Sequence, residues 1–316
     1  MNVGEITTNP IRTFDVVFDI DNVLTDTSVG ELDEIKFYQQ KGFVLTAMAT
    51  HYIFPGVIEM MQRLFSMPDV RVSFYSAGSQ NRNEAFVERL LERALGKEHY
   101  LKIKDGVQIL SGIKDDGGTD LIVNTKEKCD IQRQKYDLYI HDQTKSLEKV
   151  VGQGKNLENS VLIDDDESRI TFGQEANYLF APCLCTEDLK MKGTSYISDE
   201  QGQTINLECN RICYVAGVLF KALEYARAGS PLTNFLFPLH FSPDGDTGNF
   251  KPLFCTENPC HDRGEYYYYG FEELKKANPR FTLINPQIYQ EYCEMKTSQE
   301  EMVALQRLFK NQKIWE

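Results

Sequence analysis

Two aspartates, Asp19 and Asp21, follow the apolar run FDVVF at positions 14–18. The alternation of a strand puts both side chains on the same side of the chain. Two carboxylates at this spacing repel each other, and they are costly to desolvate unless a cation or a proton lies between them. The pair therefore has two interpretations, an ordinary solvated strand end or part of a Mg²⁺ site.

Three further stretches carry residues that could act together with this pair. Ser76 ends the apolar run that begins at Val70, and its hydroxyl group could contact a phosphoryl oxygen. Lys145 could neutralise negative charge that develops in a reaction. Asp164 and Asp165 follow another apolar run. Because ligands of open α/β sheets bind beyond the carboxyl ends of the strands, these side chains can converge there.

Segments typical of strands and of helices alternate through the first half of the chain. β-Branched and aromatic runs predict strands, and apolar residues at helical spacing predict helices. The predicted strands are 14–20, 70–76, 136–142 and 160–166, and the predicted helices are 55–65 and 80–95. A polar segment rich in glycine and aspartate, 102–131, is interpreted as an insertion with a hairpin around DDGG. The alternation predicts an α/β domain with a largely parallel sheet flanked by helices over residues 10–185.

The pattern changes from about residue 183 onward. We expect residues 186–316 to form a largely helical C-terminal extension that packs on or next to the first domain. Its predicted elements are a helix over 210–228, an aromatic loop over 234–250, an aromatic sheet edge or packed loop at Tyr266–Tyr269, and a helix over 298–312.

Composition narrows the class of protein further. The chain has 316 residues and a formal net charge of −13, which argues against a nucleic-acid partner. Its N-terminus has neither a basic start nor an apolar core typical of a signal peptide, and no apolar stretch reaches the length of a membrane span. Eight scattered cysteines without a CxxC pair predict a fold suited to a reducing cytosol. The second half of the chain has a net charge nearer to zero than the first half, so we predict that any peripheral membrane contact is made by the second half.

The four stretches, taken in order, resemble the signature of the haloacid-dehalogenase (HAD) superfamily of phosphohydrolases. That signature is an apolar run with DxD, an apolar run with serine or threonine, a lysine, and an apolar run with DD. DIDNVLT, FYSAGS, the lysine of KSLEK and LIDDDES correspond to it. The sequence is most similar to the small C-terminal-domain-phosphatase branch, which acts on RNA polymerase tails. FPGVIEMMQRLF matches the helix that follows the first motif in that branch, and the resemblance covers residues 12–185.

The resemblance implies a Rossmannoid parallel sheet and a role for each matched residue. Asp19 would be the nucleophile that forms an aspartyl-phosphate, and Asp21 would be the general acid and then the base. Ser76 and Lys145 would hold the transferring phosphoryl oxygens. Mg²⁺ would be bound by Asp19, the Asp21 backbone carbonyl, Asp164 and Asp165.

The third motif leaves alternatives open. Lys145 gives the best match, but Lys149 lies close by, and His141 occupies the position that a stricter alignment would select. Two departures from the branch are Val23 and Ser76, where threonine is usual. Asp166 and Ser168 are candidate outer members of the acidic cluster.

We interpret the chain as a Mg²⁺-dependent protein phosphatase. The segment between Asp21 and Ser76 is long enough for a flap or strands but not for a full cap, and an open site suits a phosphorylated protein side chain. Phosphotyrosine is favoured slightly over phosphoserine and phosphothreonine, because the chain resembles bacterial HAD-type effector phosphatases that are exported into a host cytosol. The alternatives are a small-molecule or nucleic-acid-end phosphatase, and a non-catalytic membrane- or partner-binding module on a HAD scaffold.

Overall fold

The computed structural model describes residues 13–26, 44–47, 49–113, 144–166, 169–171, 173–181, 211–243, 250–252 and 260–282. Ten strands lie in these residues: β1 Phe14–Phe18, β2 Thr25–Asp26, β3 Val44–Ala47, β4 Ala49–Ile53, β5 Val70–Ser79, β6 Gln108–Ile113, β7 Ser160–Asp164, β8 Tyr178–Phe180, β9 Phe241–Pro243 and β10 Phe250–Pro252. They also hold seven α-helices: α1 Val57–Phe65, α2 Gln80–Leu95, α3 Lys97–Ile103, α4 Glu148–Val151, α5 Arg211–Arg227, α6 Leu232–His240 and α7 Cys260–Ala277.

The central sheet has five strands in the order β6-β5-β1-β7-β8, and every pair within it is parallel. Strands β1 and β7 are buried along their whole length, as expected for a parallel sheet that is covered on both faces. The α/β class with a parallel sheet flanked by helices, predicted from the sequence, is confirmed.

The two faces of the sheet bury different side chains of the same strand. Phe14, Val16 and Phe18 of β1 belong to the larger apolar cluster, whereas Val17 belongs to a smaller one. The buried side chains of α1 and α2 join the larger cluster, and Leu147 and Val150 join the smaller one. The alternation along β1 therefore fixes the sheet between two helical layers.

A small antiparallel sheet in the order β2-β4-β3 lies between the first motif and α1 in the chain. Thr25 pairs with Ile53, and the Thr25 hydroxyl donates to the Tyr52 carbonyl at 3.1 Å. Phe54 then donates its backbone N–H to the Leu24 carbonyl at 3.1 Å. These contacts anchor the chain that follows the two aspartates.

Helices α5 and α7 cross in very close contact. A Cβ placed on Gly217 would lie 1.7 Å from the Tyr266 carbonyl oxygen, and one on Gly270 would lie 1.8 Å from the Cys213 carbonyl oxygen. Only glycine permits this approach of the two backbones. The buried side chains of both helices belong to the same apolar cluster as α1 and β1, so this part of the C-terminal region packs directly on the α/β core.

Three sequence predictions were wrong in type. Tyr266–Tyr269 lie within α7 rather than in a sheet edge or loop, and the start of the predicted aromatic loop is helix α6 followed by the hairpin β9–β10. Part of the predicted insertion, Gln108–Ile113, is an edge strand of the main sheet. In each case tertiary packing outweighs the local composition.

Other predictions fall on residues outside the described ranges. These are the strand over 136–142, the hairpin around DDGG, the helix over 298–312 and the domain boundary between 185 and 186. Of the helices that the structure describes, none is long and apolar enough to cross a membrane.

Candidate functional site

The candidate site lies at the carboxyl ends of three neighbouring strands, β5, β1 and β7. Asp19 directly follows β1, Asp164 is the last residue of β7, and Ser76 lies near the end of β5. β5 continues to Ser79 with a register irregularity after Ser76, so this residue is within the strand rather than at its predicted end. Parallel pairing thus brings three of the predicted residues to one edge of the sheet.

Three charged side chains, Asp19, Lys145 and Asp164, form what we call the inner group. The Lys145 Nζ lies 2.9 Å from Asp19 Oδ1 and 2.7 Å from Asp164 Oδ2. All three side chains are buried. The lysine therefore bridges the two carboxylates with short, charge-assisted contacts.

Backbone hydrogen bonds hold the inner group in place. Asp19 donates its N–H to the Ile163 carbonyl at 2.9 Å, and Lys145 donates its N–H to the Arg169 carbonyl at 2.8 Å. The second oxygen of Asp164 accepts from the Asp166 N–H at 3.0 Å. The lysine thus reaches the site from a loop that is tied to the chain just beyond β7.

Burial decides the protonation balance of the inner group. It raises the pKa of Asp19 to about 7, although Lys145 acts in the opposite direction. Burial alone would lower the pKa of Lys145, but the charges of Asp19 and Asp164 raise it above its ordinary value. The two carboxylates thus favour the charged form of Lys145, whereas burial favours the protonated form of Asp19.

Asp165 adds a third carboxylate to this edge of the sheet. Carboxylate oxygens of Asp19, Asp164 and Asp165 all lie within 4.8 Å of one another. Burial, and then the charge of Asp164, raises the pKa of Asp165 to about 6. A set of crowded, partly desolvated oxygen ligands fits a hard divalent cation, which would relieve their repulsion.

Asp21 is predicted to bind the metal through its backbone carbonyl, and its carboxylate contacts residues outside the inner group. It forms what we call the outer group with Ser76 and Arg82. Arg82 Nη1 donates to Asp21 Oδ1 at 3.0 Å, Arg82 Nη2 donates to Asp21 Oδ2 at 2.5 Å, and the Ser76 hydroxyl donates to Oδ2 at 3.2 Å. The side chains of Arg82 and Asp21 are 22% and 30% exposed, whereas Ser76 is buried, so the two charged members of the outer group are partly open to solvent.

Arg82 is the site residue that sequence reasoning missed. It lies in the first turn of α2, a helix whose amphipathic pattern gives no reason to separate this arginine from the other charged residues on its surface. Its spacing of six residues from Ser76 is a signal that could have found it, because α2 begins directly after β5.

The loop between the aspartates and β2 is held by a residue from the C-terminal region. Asn22 adopts a left-handed conformation with φ 59°, and its backbone N–H donates to the Thr25 carbonyl at 2.8 Å. The buried Arg211 of α5 donates from Nη2 to the Asn22 carbonyl and stacks over the Phe54 ring at 4.2 Å. The first helix of the C-terminal region therefore contacts the loop that carries Asp21.

The alternatives for the third motif differ in placement. Lys149 is exposed on α4, whereas Lys145 is buried in the inner group. His141 and Ser168 lie outside the described residues. Asp166 forms an ion pair with Arg169 at 3.4 Å at the partly exposed edge of the cluster.

The order of the four motifs and the convergence of the described ones at one sheet edge match the scaffold predicted from the sequence. No protein-family profile matches the chain, and no sequence among the curated proteins matches it.

Two solved structures of a phosphatase are similar to this chain. One is the fission yeast RNA polymerase II CTD phosphatase Fcp1 bound to beryllium fluoride, with 12% identity, a TM-score of 0.37, and coverage of 83% of this chain and 80% of that chain. The other is described as Fcp1, an essential RNA polymerase II CTD phosphatase, with 11% identity and the same TM-score and coverage.

Proposed function

We propose that the protein is a phosphoric monoester hydrolase that forms an aspartyl-phosphate on Asp19. The observation that carries this proposal is the inner group, in which a buried carboxylate at the end of the central strand is bridged by Lys145 to Asp164. A carboxylate in a dry pocket beside a fixed cation suits attack on a phosphorus atom, where negative charge develops on the equatorial oxygens.

The first chemical step uses one oxygen of Asp19. A bond forms between this oxygen and phosphorus while the bond from phosphorus to the leaving oxygen breaks, and the leaving oxygen takes a proton from Asp21. Lys145 and the Ser76 hydroxyl contact the equatorial oxygens and offset their charge. The position of Asp21 two residues after the proposed nucleophile supports this role.

The second step returns the enzyme to its starting state. Asp21, now a carboxylate, accepts a proton from a water molecule whose oxygen bonds to phosphorus. The bond from phosphorus to the Asp19 oxygen breaks, which restores the Asp19 carboxylate and releases inorganic phosphate. The same residue therefore serves as acid and then as base.

Mg²⁺ fits the oxygen ligands of Asp19, Asp164 and Asp165, with the Asp21 backbone carbonyl as the implied fourth ligand. Bound there, it would neutralise charge on the phosphoryl group and favour the carboxylate form of Asp19. The raised pKa values of Asp19 and Asp165 support this part of the proposal, because burial, together with the charge of Asp164, makes their carboxylate forms costly without a further cation.

We further propose a phosphorylated protein as substrate, with phosphotyrosine favoured over phosphoserine and phosphothreonine. Between Asp21 and Ser76, the described residues form three short strands and helix α1, which supports an open site rather than one under a helical cap. An open site accommodates a side chain on the surface of another protein. Export as an effector into a host cytosol, and membrane contact through the C-terminal region, stay predictions.

The test is phosphate release from matched phosphotyrosine and phosphothreonine peptides, with Mg²⁺ and with EDTA. We expect activity that needs Mg²⁺ and that falls by about 10⁴-fold or more in Asp19→Asn. Asp105→Asn, at an exposed position of the same chain, is the matched control and should behave as wild type. Activity that survives Asp19→Asn would contradict the proposed nucleophile, and a preference for the phosphothreonine peptide would contradict the proposed substrate class.

A further inference from the structure

We propose that Arg82 is a binding residue for the phosphoryl group of the substrate, and that Asp21 holds its guanidinium in place until the substrate arrives. This inference rests on the proposed phosphatase function. It adds a third protein contact for the phosphoryl oxygens, beside Ser76 and Lys145.

The first argument is the position of the guanidinium. Its Nη2 lies 2.5 Å from Asp21 Oδ2 and 3.4 Å from the Ser76 hydroxyl oxygen. Since hydrogen bonds to a phosphoryl oxygen are about 2.7 to 3 Å long, one oxygen can accept from Ser76 and from Arg82 at the same time. Any phosphoryl oxygen that Ser76 binds therefore lies within reach of Arg82.

The second argument is that the guanidinium is held in this position by a built pocket. Asn83 is fully buried, and its Oδ1 accepts from Arg82 Nε at 3.2 Å and from Nη2 at 2.8 Å. The Asn83 amide in turn donates to Ser111 Oγ at 2.8 Å and to the Gly78 carbonyl at 3.2 Å. A solvated surface arginine has no such support.

Gly78 provides the space for this arrangement. A Cβ at that position would lie 2.0 Å from Arg82 Nη2 and 2.8 Å from Asn83 Oδ1. The absence of a side chain at Gly78 therefore lets the guanidinium lie against the backbone just beyond Ser76, where its donors point to the mouth of the site.

The third argument is chemical. Arginine presents two parallel donors that match the oxygens of a phosphoryl group as well as those of a carboxylate, and the phosphoryl group carries more charge. Both oxygens of Asp21 accept from Arg82 in this structure. A carboxylate that is engaged in this way gives no proton to a leaving group, so transfer of the arginine to the phosphoryl group also makes Asp21 available.

Two other roles for Arg82 make different predictions. If it contacted an acidic residue that flanks the phosphorylated side chain, its loss would weaken binding of peptides but not of small phosphoesters. If it only positioned Asp21, its loss would lower kcat and leave the affinity for inorganic phosphate unchanged.

The experiment measures KM for p-nitrophenyl phosphate and the inhibition constant of inorganic phosphate. We expect Arg82→Gln to raise both by about 10- to 100-fold, because a charge-assisted contact to the phosphoryl group is lost. Arg82→Lys should retain part of the affinity that Arg82→Gln loses, since lysine keeps the positive charge but not the two parallel donors of arginine. Arg89→Gln, on the same helix and paired with Glu92 at the surface, is the matched control.

Gly78→Ala tests the same contact without a change of charge. The added methyl group should displace the guanidinium and raise both constants in the same direction as Arg82→Gln. If KM and the inhibition constant were unchanged in Arg82→Gln, or if affinity were lost only for peptides, the role proposed for Arg82 would be wrong. The proposed phosphatase function would still stand if turnover depended on Asp19.

A direct binding measurement separates the two proposals when turnover is absent. Calorimetric titration of inorganic phosphate into Asp21→Asn should show tighter binding than into wild type, since Asp21 no longer competes for Arg82. This gain in affinity for phosphate should be smaller by about tenfold or more when Arg82→Gln is combined with Asp21→Asn. An equal gain with and without Arg82 would overturn the inference.

Discussion

The inner and outer groups both contain a cation in contact with carboxylate oxygens, but Lys145 bridges two carboxylates whereas Arg82 pairs with one, and the surroundings differ. Lys145 and Asp19 have side chains that are 4% and 10% exposed, whereas Arg82 and Asp21 are 22% and 30% exposed. Desolvation makes the charges of the inner group interdependent, because each would be costly to bury without the others. The outer group can exchange its partners at little cost in stability.

This difference teaches where activity and stability are coupled in the molecule. Changes in the inner group should affect the free energy of unfolding as well as turnover. Changes of Arg82 or Asp21 in the outer group should affect turnover or phosphate binding with little change in the free energy of unfolding.

Asp21→Asn should have a large effect on turnover and only a small effect on folding. We expect kcat to fall by about 10²- to 10⁴-fold, because the leaving oxygen loses its proton donor. The free energy of unfolding should change by less than about 1 kcal/mol, as for other exposed ion pairs. The measurements are steady-state kinetics and urea denaturation, and a destabilisation as large as that in the inner group would break the comparison.

Lys145→Met should destabilise the protein by about 3 to 5 kcal/mol, because it leaves Asp19 and Asp164 buried without their cation. Urea denaturation of the metal-free protein measures this. Lys149→Met, at an exposed position on α4, is the control and should lie within about 0.5 kcal/mol of wild type. If both variants lost a similar amount of the free energy of unfolding, the inner group would be hydrated in solution.

The stability of the metal-free protein should fall as the pH rises from about 4 to 7. The native Asp19 keeps its proton up to about pH 7, whereas the unfolded chain releases it near the ordinary value of 3.8. The native state therefore binds more protons across this window, and stability is lost as they dissociate. The loss relative to Asp19→Asn should be on the order of 3 kcal/mol, measured by urea denaturation at several pH values. A parallel pH dependence in both proteins would contradict the assignment.

Arg211→Met should cost about 1 to 2 kcal/mol, because the partly buried Asn22 carbonyl loses its charged donor. Arg227→Met, on the same helix but paired with Asp69 at the surface, should cost less than about 1 kcal/mol. Thermal denaturation of both variants measures the difference. Equal costs would mean that the contact of α5 with the catalytic loop adds no more stability than a surface pair.

Much of the fold could be predicted because its strands and helices have strong local patterns. The run FDVVF is apolar and β-branched, and the helix Gln80–Leu95 has the same limits in the sequence prediction and in the structure. The site positions Asp19 and Asp164 follow from the rule that parallel strands end at one edge. Lys145 was found through its motif rather than through any physical pattern.

The failures have physical causes that are not local. Four consecutive tyrosines favour a strand by propensity, but Gly217 and Gly270 let α7 lie against α5, and this packing stabilises a helix. By residue type alone, Arg82 does not differ from the other charged residues of its helix. Its importance depends on the buried Asn83 and the missing side chain at Gly78, which only the three-dimensional structure brings together.

The hydrogen bond from Arg211 to the Asn22 carbonyl bears on the order of events during synthesis. The ribosome makes Asp19, Ser76, Lys145 and Asp164 first, so a nascent chain carries all of these charged and hydroxyl groups before α5 exists. The loop that holds Asp21 gains its arginine donor only when α5 has been made and has packed on the core. A newly made chain would thus complete the packing around the loop that carries Asp21 only after α5 has folded on the core.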